Sequence, residues 1–356
     1  MDGYAVRSAD VNADSAYTLK DVGTSFAGHP YPNPIAPGQC VRIFTGAPLP
    51  AAADLVIVQE NVADQSGEHV TFVPHTTQES HIREVGNDVD KGQRLAESGE
   101  RITPFMLGQF AAAGISTLQV FPRVRVGIFS SGDELRDPGT PVEELAYGQI
   151  YDSNRLTLAK LLDDLPIHCI DLGCLPDDPN EIDDALQRAT DTCDVLITSG
   201  GVSVGDADYI VERIRAQGEL AFWRLNLKPG KPLAFGEIRG RWIFGLPGNP
   251  ISTIITALLV AKPAIAHLAG TVMPTPMKIP AILKSSITHT TGRTEYQRGQ
   301  FNFDGSSYTV THTGEQGSNR LSSFRHANCL IEVDKAQGDM HIGDQVLILP
   351  LTNLLH

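Results

Sequence analysis

At 356 residues the chain is longer than one ordinary hydrophobic core can organise, so two or more domains are expected. An apolar fraction of 41% beside 20% charged residues is the composition of a soluble globular protein. The formal net charge of −14 excludes a broad nucleic-acid surface but leaves room for a local basic cluster that takes a small anion.

Residues 1–77 carry short β-rich runs, VRIFTG over 41–46, LVIVQE over 55–60 and HVTFVP over 69–74, separated by Pro, Gly, Asn and Asp. That spacing predicts a small β-rich domain. In the connecting stretch 78–119, Thr103 and Pro104 read as N-cap and first helical position of TPFMLGQFAAAG, which closes at Gly114. Over 120–270 strands alternate with helices: strands at 124–129, 167–175, 195–198 and 242–246, helices at 152–165, 179–189, 208–216 and from 250 to about 267. This alternation predicts an α/β domain with a parallel-rich sheet covered on both faces. TVMPTPMKIP, 271–280, reads as a linker, and the strands that return over 275–356 predict a C-terminal β-barrel-like domain. The fold class is therefore α/β plus β, a central α/β domain flanked by small β domains.

The apolar run 251–261 stops at Lys262-Pro263, short of the roughly 18 residues of a membrane span. The N-terminus opens Met1-Asp2-Gly3 without a leader pattern, and a cytoplasmic protein with no membrane partner is expected. The cysteines at 40, 169, 174, 193 and 329 form no CxxC pair and read as reduced, mostly buried thiols, with no structural zinc. His168, between Ile167 and Cys169, reads as a packed core residue rather than a ligand.

Three stretches run from an apolar strand through a Gly/Ser/Pro loop into a helix: VGIFSSGDEL (126–135), VLITSGGVSVGDADY (195–209) and WIFGLPGNPIST (242–253). Such loops present backbone N–H groups and helix N-termini to anions at the carboxyl edge of a sheet, which makes Ser131, Gly132, Gly200, Gly201, Ser203, Gly248 and Asn249 candidate substrate contacts. WRLNLKPGKPLAFG (223–236) places Arg224, Lys228 and Lys231 within eight residues without a carboxylate. Solvated lysines on a surface turn are the bland account. Two ammonium groups enclosing a tetrahedral oxyanion are the sharper one, favoured by the three anion loops in the same module.

Carboxylates recur beside glycines or at loop ends: Asp2, Asp88, Asp133, Glu134, Asp177, Asp178, Asp206 and Asp208. Loop Asp often serves only as a cap or turn residue, and Asp178 before Pro179 fits an N-cap. Asp133 and Glu134 fall at the sheet's carboxyl edge, where a phosphate pocket lined with acids suits Mg²⁺, which takes one or two carboxylates together with phosphate oxygens. On spacing alone, a nucleotide, a pterin phosphate and a sugar phosphate all remain open as ligands.

Ten segments in order, MDGYAV, FTGAPLP, SSGDEL, GQIYDSNR, LPDDP, SGGVSVGDADY, FWRLNLKPGKPLAFG, GLPGNPIS, EYQRG and the GEQGSNRLSSF region, carry a resemblance along the whole chain. They resemble the molybdopterin molybdenumtransferase family, which includes MoeA-type enzymes and the E domains of gephyrin and its plant counterpart. The resemblance implies insertion of molybdenum, supplied as molybdate, into adenylylated molybdopterin, with cleavage of the phosphoanhydride, release of AMP and a divalent cation such as Mg²⁺. It implies catalytic roles for Asp2, Thr45, Asp88, Glu134, Asp177 and Asp208, with Asp88, Glu134, Asp177 and Asp208 as metal ligands, and molybdate binding by Lys228, Lys231, Ser252, Arg298 and Ser323. It further implies an adenylyltransferase upstream, molybdoenzymes downstream and a homodimer. GNDVD has Asn87 where relatives carry an acid before the Asp. Relatives also carry a helical segment before MDGYA; the chain opens on that motif, so a weaker dimer or a monomer is expected. The competing expectations are a molybdopterin adenylyltransferase or related nucleotide-processing enzyme on the same central domain, and a non-catalytic scaffold.

Overall fold

The computed structural model describes residues 1–74, 81–202, 209–271 and 273–355. Two compact units divide the chain, Met1–Arg94 and Leu95–His356.

The first unit is built on six strands: β1 (Gly3–Val6), β2 (Tyr17–Ser25), β3 (Gln39–Ile43), β4 (Leu55–Val58), β5 (Val62–Ser66) and β6 (His69–Phe72), in the order β4-β1-β3-β2-β6-β5. Every residue of β1 is buried between β3 and β4. Gly3 is required there, since a Cβ would stand 2.1 Å from the Ile57 carbonyl oxygen. Tyr4 packs edge-on against Phe72 at 5.5 Å, over a core that includes Leu19, Leu55 and Ile57. The expected β-rich runs become β3, β4 and β6. Strands β1, β2 and β5 are additions, because a short segment and two polar ones carry little apolar alternation.

The second unit opens with α1 (Pro104–Ala112), capped by Thr103 Oγ1, which accepts from the Met106 N–H at 3.2 Å as expected. Its α/β part runs β7 (Val124–Ser131), a short ribbon β8 (Leu135–Arg136) with β9 (Ile150–Tyr151), α2 (Asn154–Leu161), β10 (Ile167–Leu175), α3 (Pro179–Thr192), β11 (Val195–Ser199), α4 (Tyr209–Gln217), β12 (Gly218–Trp223), β13 (Leu227–Lys228), β14 (Ala234–Ile238) and β15 (Arg241–Leu246). The sheet order is β10-β7-β11-β15-β14-β12. The first four strands are parallel and the last two antiparallel, so the sheet is mixed. Helix α2 packs Leu158 on one face and α3 packs Ile182 and Leu186 on the other. The chain thus leaves β7 toward β10 on one face and returns to β11 on the other, which opens a crevice at the carboxyl ends of β7 and β11.

Two expectations are corrected here. His168 is exposed, because β10 is an edge strand with a neighbour on one side only. The helix after β15 spans 19 residues, Pro250–Leu268, close to the expected 250 to about 267, as α5 (Pro250–Thr256), a π-turn over Ala257–Ala261 and α6 (Lys262–Leu268); what is corrected is the apolar run, which does not stop at Lys262-Pro263. The π-turn lets the chain pass Pro263, which lacks the N–H of a regular helical bond. Lys262 is fully buried, with Nζ 2.8 Å from both Asp164 Oδ1 and the Leu355 carbonyl oxygen. By length and composition this helix could cross a membrane, yet 67% of its apolar window is buried inside the protein.

Strands β16 (Ile279–Leu283), β17 (Thr294–Phe303), β18 (Tyr308–His312), β19 (Cys329–Val333) and β20 (Gln345–Pro350) form the C-terminal barrel, closed by β17–β19 pairing and followed by α7 (Thr352–Leu355). The short strand β13 leaves the α/β stretch to join this barrel, pairing parallel with β17 so that Leu227 meets Thr294 and Lys228 meets Glu295.

Replacing Lys262 with Ala strands the Asp164 carboxylate and the Leu355 carbonyl together. A loss of about 2–4 kcal/mol is expected in urea unfolding, and Lys262→Met, which refills the apolar volume, should lose less.

Candidate functional site

The crevice is lined by the three loops that leave β7, β11 and β15. Gly200 and Gly201 have φ of +102° and +69°, and a Cβ on Gly200 would lie 2.5 Å from the Ser131 carbonyl oxygen. Only glycine lets the second loop lie this close to the first. Gly248 of the third loop would bring a Cβ to 3.7 Å from Gly200 Cα, so Ser131, Gly132, Gly200, Gly201 and Gly248 are brought together. Asn249 follows as the N-cap residue of α5 and is exposed. The Ser131 hydroxyl is buried without a hydrogen-bond partner among the described residues, a group that a bound ligand would satisfy. Ser203 and Asp208 lie outside the described residues.

Asn154 was not singled out from sequence, although GQIYDSNR contains it. Its Nδ2 donates to Ser199 Oγ at 2.8 Å and to the Gly248 carbonyl at 2.7 Å, pinning the second strand end to the third loop. Asp152, almost fully buried, accepts from the Asn154 and Arg155 N–H groups and so fixes the start of α2.

The acids separate into two groups. Glu134 curls back over Gly132, where a Cβ would meet its Oε2 at 2.5 Å, and Asp133 Oδ1 accepts from the Asp177 N–H at 3.2 Å. Burial, reinforced by the charges of Asp133 and Glu134, pushes the Asp177 carboxyl up from its ordinary range. Glu134 and Asp177 are therefore neighbours that a divalent cation would relieve. Among the described residues no three His, Cys, Asp or Glu side chains could hold a metal ion by themselves. A Mg²⁺ held here would take oxygens from its ligand as well, which is its usual habit. Asp178 caps α3, accepting from Asn180 and Glu181 N–H at 2.8 and 3.1 Å, as the sequence indicated.

Asp2, Thr45 and Asp88 stand in the first unit. Asp2 Oδ1 accepts from Thr45 N at 2.9 Å and from Thr45 Oγ1 at 3.1 Å, and these bonds, the backbone one foremost, hold the Asp2 carboxyl below its usual range. Asp88 is exposed.

The residues expected to bind an oxyanion are linked in the second unit. Gly230 of the KPGKP turn is buried at φ +112°, where a Cβ would strike Thr256 Cγ2 at 2.5 Å and stand 3.7 Å from the Ser252 carbonyl, so the turn lies directly on α5. Ile251 N donates to Ser318 O at 3.0 Å, which joins the start of α5 to the barrel loop that holds Ser323. Arg298 is fully buried on β17; its Nε donates to Ser323 Oγ at 2.9 Å and its Nη2 to the Gly317 carbonyl at 3.2 Å. Its Nη1 is buried without a hydrogen-bond partner among the described residues. Burial lowers the guanidinium to about 10, so it remains cationic at neutral pH. Lys228 Nζ donates to Glu295 Oε2 at 2.9 Å, and Lys231 is exposed. Glu295 was another residue missed in sequence, although EYQRG displays it two strand positions before Gln297.

Two outcomes follow from these charges. If a tetrahedral dianion binds here, millimolar molybdate used as a probe should raise the thermal midpoint of the protein and raise that of Arg298→Met much less, because the variant lacks the buried guanidinium donor. For Asp177, whose carboxyl is raised on folding, the folded state is penalised above that raised value and unpenalised below 3.8. Asp177→Asn should therefore be slightly more stable at pH 7, by less than about 0.5 kcal/mol given its partial exposure, with the difference vanishing in acid. Added Mg²⁺ should reverse the order at pH 7.

Family models match three consecutive stretches: the MoeA N-terminal region (domain I and II) over residues 1–114, a probable molybdopterin binding domain over 127–267, and the MoeA C-terminal region (domain IV) over 280–351. A molybdopterin molybdenumtransferase of Haemophilus influenzae is 39% identical over 357 residues, spanning 100% of this chain and 87% of the relative. Molybdopterin molybdenumtransferase 2 of Mycobacterium tuberculosis is 31% identical, spanning 99% of this chain and 88% of the relative. The crystal structure of a molybdopterin biosynthesis MoeA protein from Pyrococcus horikoshii superposes with a TM-score of 0.83 at 29% identity, covering 98% of this chain and 86% of that one. The three matched regions stand in the order the motifs gave, and with relatives this similar over nearly their whole length the chain belongs to the MoeA-type molybdopterin molybdenumtransferase family.

Proposed function

We propose that the protein inserts molybdenum into molybdopterin, and that it does so from molybdate and the adenylylated form of the pterin, releasing AMP. The observation that carries this proposal is the Arg298 guanidinium, fully buried with Nη1 unpartnered among the described residues and linked through the barrel loop to α5, with Lys228 brought to the same strand by β13. A tetrahedral dianion suits such a set: Arg298 and Lys228 supply charge, Ser252 and Ser323 supply hydroxyls, and the exposed Lys231 closes the open side.

The crevice residues Ser131, Gly200, Gly201 and Gly248 receive the phosphate groups of the pterin nucleotide, with Ser131 Oγ as a donor that has no other partner. Glu134 and Asp177 would hold Mg²⁺ together with phosphate oxygens, and Asp208 is assigned the same role. Bound there, Mg²⁺ supplies charge neutralisation for cleavage of the phosphoanhydride. Asp2, Thr45 and Asp88 are assigned catalytic roles on the strength of their motifs. The pterin nucleotide comes from an adenylyltransferase and the finished cofactor passes to molybdoenzymes, in the cytoplasm. An adenylyltransferase would need the α/β module alone and leaves β13, which carries Lys228 into the barrel, without a purpose.

Incubating the protein with adenylylated molybdopterin, molybdate and Mg²⁺ should yield AMP and active cofactor in equal amounts. Lys231→Ala should raise the molybdate requirement about ten- to hundredfold through loss of a charge-assisted contact, with the requirement for the pterin nucleotide nearly unchanged. Molybdate-independent AMP release, or a selective loss of pterin affinity in this variant, would contradict the assignment.

A further inference from the structure

The oxyanion cluster contains a carboxylate that the proposed function leaves unexplained. Glu295 is 4% exposed on β17, the strand that also carries Arg298 on its other face, and its Oε2 accepts from Lys228 Nζ at 2.9 Å. A carboxylate in an anion site opposes binding unless it performs some other task. Its surroundings define the task. Gln297, two residues along the same face of β17, donates Nε2 to Glu295 Oε1 at 3.1 Å. The fully buried His289 ring stands behind, with Nε2 3.8 Å from Glu295 Oε2 and 3.0 Å from the Arg293 carbonyl, and Nδ1 3.0 Å from the Gln337 carbonyl. The carboxylate is therefore held by Gln297 and backed by His289, and its third contact is the ammonium.

Lys228 needs such a hold. Its side chain is 43% exposed on a two-residue strand, and a lysine so placed otherwise spends its rotamer freedom in water. One N–H engaged by Glu295 leaves two others directed by the same tetrahedral geometry.

We infer that Glu295, braced by Gln297 and His289, is the positioning residue that holds the Lys228 ammonium in the oxyanion site, exchanging some net positive charge for a fixed donor direction. This rests on the assignment of Lys228 to molybdate. The test is steady-state cofactor formation with molybdate and the pterin nucleotide varied separately in Glu295→Ala, Glu295→Gln, Lys228→Ala and the Glu295→Ala/Lys228→Ala double variant. Glu295→Ala should raise the molybdate KM about tenfold, with kcat at saturating molybdate and the pterin KM both within about twofold. Glu295→Gln, which keeps an acceptor oxygen and the side-chain volume, should recover part of the loss, and it carries the test alone, with about a threefold rise, if the alanine variant fails to fold. Against Lys228→Ala, the second substitution should add less than about twofold. Effects that multiply in the double variant, or a fall in kcat instead of a rise in KM, would reduce Glu295 to a structural residue and overturn the inference. An unchanged molybdate KM in Glu295→Ala beside a raised one in Lys228→Ala would overturn it while sparing the assignment of Lys228; no change in Lys228→Ala would overturn that assignment itself.

Discussion

A permanent cation with no solvent exposure dictates the organisation of the barrel's active face. Arginine cannot discard its charge, so burying Arg298 obliges the surrounding chain to supply acceptors. The loop over residues 313–323 wraps the residue to do so: Ser323 and Gly317 receive from the guanidinium, Gln316 receives from the Arg298 backbone N–H, and Thr313 and Gln316 both donate to its carbonyl. The same loop then offers Ser318 O to the first turn of α5, satisfying an N–H that a helix start leaves open. The position of the loop, and through it the position of Ser323 relative to α5, follows from one desolvated side chain. Nη1 remains as a donor for which the described residues supply no acceptor.

The α/β part works by a different principle. Its crevice is made by topology, where the chain departs β7 on one face of the sheet and returns to β11 on the other, and by glycines that let three loop backbones approach closely. There, charge accumulates in the opposite sense, and burial, reinforced by the neighbouring Asp133 and Glu134, raises the Asp177 carboxyl above its ordinary range. One unit thus carries both a buried guanidinium and a cluster of carboxylates.

Much of this was legible in the sequence because it was local. The strand-loop-helix segments, the cap at Thr103 and the cap at Asp178 each declare themselves within a dozen residues. What stayed hidden was long-range. Strands β12 and β14 have too little apolar alternation to be told from loop until β15 lies beside them. Glu295 and Lys228 are 67 residues apart and meet only because β13 joins β17. Asn154 looks like a helix-start residue until its amide is seen bridging Ser199 and Gly248. The apolar run, though not the helix, reads too short for the same reason: a lysine ends it on paper, but Asp164 and the Leu355 carbonyl neutralise and solvate Lys262 in the interior. His168 was misjudged because a central strand and an edge strand share a sequence pattern and differ only in their neighbours.

The two-residue strand β13 has a thermodynamic corollary. It is the only strand outside the barrel sequence among the described residues to enter the barrel sheet, so Lys228 travels with the α/β stretch while Arg298 travels with the barrel. An anion that touches both is a clasp between two bodies: it favours their seated arrangement, and by reciprocity whatever unseats the barrel must lower the anion's affinity by the same free energy. So short a pairing offers little resistance of its own. For such an anion, capture and closure of the seam are one equilibrium observed from two sides.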